Sequence, residues 1–176
     1  MIRAAIALGF CAAASLAAMP SLADECVDFK WDVAQERALF AGPATALTAG
    51  TDAKSAPDMQ LGHLYELKLG TQDQVSFAAT PGKKSPRTES NAGLVKFKIP
   101  VKGSYRVAID MPFWIDVVQD GALLAATDFQ GQHGCNSPHK IVVFELPGTR
   151  PFILQLSNAA PQSVRLTITA TPARKL

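Results

Sequence analysis

Leu94-Val-Lys-Phe-Lys-Ile-Pro-Val101 and Gly103-Ser-Tyr-Arg-Val-Ala-Ile-Asp110 carry the reading of the fold. In the first, Val95, Phe97, Ile99 and Val101 fall on one side and Lys96 and Lys98 on the other. In the second, Tyr105, Val107 and Ile109 oppose Arg106. Successive side chains of a strand point to opposite faces, so each run predicts a strand with one face on a core and one in water. Half-buried strands of this kind mark antiparallel sheets.

Outward from this centre the same period of two recurs. Tyr65, Leu67 and Leu69 alternate with Glu66 and Lys68 over residues 63–69. Val75 and Phe77 repeat the pattern over 74–79, and Val164, Leu166 and Ile168 over 163–169. Further strands are expected at 113–118, 122–125, 140–146 and 151–157. Turn residues separate them, and Gln119-Asp120-Gly121 is a tight hairpin signal. The predicted core is Tyr65, Leu67, Phe77, Val95, Phe97, Ile99, Tyr105, Val107, Ile109, Leu154, Leu156, Leu166 and Ile168. The fold class expected is all-β: an antiparallel, jelly-roll-like β-sandwich with two sheets of four or five strands. One short N-terminal helix precedes it, over Asp32–Phe40, with Asp32 as N-cap, Gln35 three residues on, and Val33 and Phe40 packing inward.

The first residues predict export. Arg3 opens a positive region, residues 6–18 are apolar, and Ser21-Leu22-Ala23 sets small residues before Asp24, so residues 1–23 read as a cleavable signal peptide. The apolar run is too short to span a bilayer, and no membrane insertion is expected. Residues 24–176 then form a single domain, periplasmic or secreted. With Arg3 gone, Lys+Arg falls from 17 to 16 against 15 Asp+Glu, a balance that argues against nucleic acid as a partner. The local basic cluster Lys83, Lys84 and Arg87 reads as a solvated loop tip. Cys11 leaves with the signal. The remaining pair, Cys26 and Cys135, is expected to form a disulfide bond in an oxidising compartment.

The chain has no G-x-S-x-G elbow, P-loop, H-E-x-x-H or C-x-x-C. Its densest polar stretch runs from Asp128 to Lys140, read as a long loop. There His133 and His139, with or without Cys135, are candidate ligands for copper or zinc. A second place is Met111–Val118, where Trp114 and Asp116 share one face. With Lys140 they are the candidate ligand-binding residues, since a Trp beside a carboxylate is one way to hold a sugar ring. No catalytic residue is assigned.

The stretch 103–110, the strand 114–118, Phe152-Ile-Leu-Gln-Leu-Ser157 and Val164-Arg-Leu-Thr-Ile-Thr169 resemble the strands of pre-peptidase C-terminal-like β-sandwich modules. That resemblance implies a jelly-roll-like module that binds or assists. The whole exported chain is also similar to small bacterial proteins that carry the label homogentisate 1,2-dioxygenase. That label implies a non-haem iron held by two histidines and a carboxylate, for which His133 and His139 with Asp128 or Glu145 are the set available. The function expected is a non-catalytic periplasmic binding or accessory module, without cofactor, for a small molecule, glycan or protein. The alternative is a metal-binding protein or iron dioxygenase built on residues 128–145.

Overall fold

The computed structural model describes residues 29–83, 87 and 89–172. Along the chain these form α1 (Ala34–Phe40), β1 (Thr45–Thr48), β2 (Asp58–Met59), β3 (Tyr65–Lys68), β4 (Gly70–Thr71) and a 3-10 turn (Gln72–Gln74). Then come β5 (Asn91–Phe97), β6 (Gly103–Ile109), β7 (Trp114–Gln119), β8 (Ala122–Leu124), β9 (Ala126–Gly131), β10 (Lys140–Leu146), β11 (Phe152–Ala159) and β12 (Ser163–Ala170). The chain is mostly β. One sheet has the order β1-β3-β12-β6-β10-β9, and the other has β2-β5-β11-β7-β8 with β4 added to β5. The signal peptide and Cys26 lie outside the described residues.

A single core cluster draws Tyr65, Leu67, Tyr105, Val107, Ile109, Leu166 and Ile168 from the first sheet and Val95, Phe97, Leu154 and Leu156 from the second. The two sheets therefore face each other across it, as in a sandwich. Phe97 and Phe152 stack there with ring centroids 5.3 Å apart. Of the thirteen residues predicted to form the core, all are buried except Phe77, which is half-buried. The hairpin at Asp120-Gly121 is present, with both residues at positive φ (50° and 78°) and Gln119 opposite Ala122. Two consecutive positive φ values match the twist of a two-residue turn, and glycine adopts one without strain.

The expectation of purely antiparallel sheets needs correcting. β1 pairs with β3 in parallel, and β2 with β5 in parallel. Residues 49–64 separate β1 from β3 and include β2, so the chain crosses to the other sheet and returns in its original direction. A tight hairpin cannot do this. Residues 74–79 do not form a strand. The 3-10 turn ends at Gln74, and the chain beyond it lies across the outer face of the second sheet, where Val75, Phe77 and Ala78 pack on Ala92, Leu94 and Ile153. Val101, expected inside, is 64% exposed because β5 has ended at Phe97. The stretch 128–140 is not all loop, since β9 runs through Gly131.

The helix starts at Ala34 with Val33 as N-cap, and the Asp32 Oδ1 accepts from the Ala34 N–H at 2.9 Å. Val33 and Phe40 pack inward as expected, joining Phe29, Leu64, Ala108 and Ile141 in a second cluster on the outer face of the first sheet. That cover explains a further correction. Arg106, expected in water, is 4% exposed, and Glu36 beneath the helix is fully buried. Their charged groups lie 3.6 Å apart. Thr169 Oγ1 donates to Glu36 Oε1 at 2.6 Å, and Arg106 Nη1 donates to the Asp32 carbonyl at 2.7 Å.

Candidate functional site

Phe113, Ile115 and Val117 take the core side of β7, which turns Trp114 and Asp116 to the outer face of the second sheet. Asp116 is buried, and three donors converge on its carboxylate. Trp114 Nε1 reaches Oδ1 at 2.9 Å, while the Gly82 N–H and Gln155 Nε2 reach Oδ2 at 3.0 and 3.5 Å. Gln155, fully buried on the adjacent strand β11, also donates to the Ala79 carbonyl at 3.0 Å and accepts from the Ala79 N–H at 3.4 Å. Asp116 and Gln155 thus fasten residues 79–82 to the sheet and fix the indole at the same time. Position 82 is close-fitting: a Cβ there would sit 3.0 Å from Asp116 Oδ1 and 3.4 Å from Trp114 Nε1, so those side chains would have to give by a few tenths of an ångström.

Two ammonium groups meet at this indole. Lys83, carried by the fastened strip, lies 5.4 Å from the ring centroid, and Lys140, at the start of β10, lies 5.5 Å from it. These are cation–π distances. Lys140 also donates to the Phe113 carbonyl at 3.0 Å, a bond that links the first sheet to the β6–β7 crossing. Burial pushes the Lys140 ammonium below the usual lysine value. The nearby charge of Lys83 pushes it the same way, and Asp116 opposes them. Neither lysine forms an ion pair among the described residues.

Next to Trp114, a cleft of about 270 Å³ is walled by Phe77, Thr80, Pro81 and Lys83, with Ser157 among its lining. Ser157 is the register partner of Trp114 on β11. It is 2% exposed, and its hydroxyl has no hydrogen-bond partner among the described residues. A larger cleft of about 820 Å³ shares the Gln72 and Phe77 walls and continues towards Arg87 and Gln162.

Trp114, Asp116 and Lys140 are therefore brought together, with Asp116 occupied as the anchor. Sequence reasoning missed Lys83, Gly82, Gln155 and Ser157. Gln155 carried a signal, being a lone polar residue within the apolar run Phe152–Leu156. Lys83 carried none, because its position depends on which sheet face the preceding strip covers.

The histidine pair lies beyond β9. The rings of His133 and His139 sit edge to face with centroids 6.4 Å apart, and His139 Nδ1 is 3.2 Å from the Cys135 carbonyl. Neither carboxylate completes a third ligand position. Asp128 is bonded to Lys30, whose ammonium holds its carboxyl below the usual value. Glu145 is exposed six residues further along β10 from His139, about 20 Å at the rise of a strand. Among the described residues no group of three or more His, Cys, Asp or Glu is placed to hold a metal. Nor is any helix among them long and apolar enough to cross a membrane. Cys135 is 4% exposed. Compared with family models, with curated proteins and with solved structures, the chain matches none.

Proposed function

We propose that this chain is a non-catalytic, exported binding or accessory module whose ligand is met at the Trp114 end of the second sheet. The observation that carries the reading is the fixed indole. Trp114 is held by a buried carboxylate that also docks the cleft wall, an arrangement costly to maintain for packing alone, because a buried charge must be compensated by hydrogen bonds. Apolar and aromatic walls with a few convergent polar groups are the usual make-up of a small-molecule site.

The jelly-roll assignment belongs to the same proposal. Omitting β1, β2, β4 and β9, the remaining strands form β3-β12-β6-β10 in one sheet and β5-β11-β7-β8 in the other, all paired antiparallel. That order supports reading the eight strands as two intertwined Greek keys, the architecture that the resemblance to pre-peptidase C-terminal-like modules implies.

A thermal-shift panel of saccharides, organic acids and peptides tests the reading. At least one compound should raise the melting temperature of the parent and of a His133→Ala variant but leave Trp114→Ala unchanged. A panel without effect, or stoichiometric copper, zinc or iron in untagged protein, would replace it.

A further inference from the structure

We propose that the ligand of this site is a monosaccharide-sized acid, its carboxylate or phosphate held between Lys83 and Lys140 and its hydroxylated body in the cleft over Ser157. The inference rests on the reading of the Trp114 region as a binding site and adds the class of ligand.

Charge comes first. Two ammonium groups share one indole, 5.4 and 5.5 Å from its centroid, and like charges at such a spot repel. The nearest carboxylate is Asp116, and it is already engaged by Trp114, Gly82 and Gln155. Those three donors are neutral, so Asp116 still offsets part of the charge, but two ammoniums face one carboxylate and the spot stays net positive, with Lys140 partly desolvated. An oxyanion between them would accept from both lysines, in hydrogen bonds stronger than neutral ones.

The cleft supplies the rest of the ligand. Lys83 is on its rim and Ser157 in its lining. A hydroxyl that is 2% exposed and lacks a partner among the described residues carries a desolvation cost. A ligand hydroxyl would relieve it. At about 270 Å³ the cleft falls just below the range of drug-sized sites, which suits one ring and not a polymer chain. Phe77 offers the ring an apolar wall.

The chain has two tryptophans, Trp31 and Trp114, so in a Trp31→Phe protein the emission reports on this site alone. That protein is titrated with glucuronate, glucose 6-phosphate, glucose and inorganic phosphate at low and high salt. Glucuronate or glucose 6-phosphate should change the emission saturably and more weakly at high salt, while glucose should not. Lys83→Gln and Lys140→Gln should each weaken binding at least about tenfold. Ser157→Ala should weaken it less and leave the salt dependence unchanged. Lys83 is exposed and forms no hydrogen bond or ion pair with the described residues, so its variant reports on binding without disturbing the fold.

If glucose binds as well as glucuronate, the acidic class is refuted while the binding reading stands. Phosphate alone binding as tightly as glucose 6-phosphate would refute the role of the cleft. Silence from all four, with a ligand of another kind found in the wider panel, would refute the inference and spare the module.

Discussion

The charge pair buried under α1 gives the sharpest test of the fold. Glu36 is fully buried and Arg106 is 4% exposed, with their charged groups 3.6 Å apart. Replacing Arg106 by Met keeps the length of the side chain but leaves the Glu36 carboxylate buried with Thr169 as its partner. Removing one member of a buried pair costs about 3–5 kcal/mol. The pair is separated beyond hydrogen-bond length, which places the cost near the lower end, about 3 kcal/mol, or a fall in Tm of about 6–12 °C. Glu36 Oε2 and Arg106 Nε already lack partners among the described residues, so the pair is incompletely compensated. Replacing both, as Glu36→Leu with Arg106→Met, should therefore cost less than either single change. Urea unfolding of the three variants measures this directly. An Arg106→Met loss under about 1 kcal/mol, or a double variant that costs more than either single, would refute the account.

Phe97→Ala should destabilise by about 3–5 kcal/mol, since Phe97 is 1% exposed and stacked on Phe152; chemical denaturation giving less than about 1 kcal/mol would contradict its place in the core. Protein recovered from an oxidising compartment should present no free thiol from Cys26 or Cys135, and Cys135→Ser should cost about 2–4 kcal/mol; thiol titration before and after unfolding decides. Acid binding should weaken as pH rises. Lys140 is held below the ordinary 10.5 by burial and by Lys83, so it loses the proton the ligand needs at a lower pH than a free lysine. Bound anion raises that pKa, and proton uptake should accompany binding in this window. Without ligand the sign reverses, because the cost of burying the protonated amine is present below the lowered pKa and relieved as pH climbs from it to 10.5. Calorimetry in buffers of different ionisation enthalpy checks the uptake; affinity that is flat or rising up to about pH 10 would sink the role of Lys140.

Strand alternation determined where the backbone runs and which side of each run meets the core. Tyr105, Val107 and Ile109 needed no structure to be placed, because period two is a local property of the chain and apolar burial drives it. The site was half legible. Trp114 and Asp116 share a face by parity alone, whereas Lys140 and Lys83 approach them from another sheet and from a strip that forms no strand. Local pattern also cannot say what lies on the outer face of a sheet. Arg106 reads as solvent-facing by parity, and Val33, Glu36 and Phe40 fall on one helical face, yet only the docking of α1 makes that face the lid over Arg106. The same holds for residues 74–79, whose strand-like alternation instead fits Val75, Phe77 and Ala78 against the apolar outer surface of the second sheet. Contacts between elements distant in sequence decided these positions: a side chain's burial is set by what packs over it, and that partner is chosen only when the whole chain has collapsed.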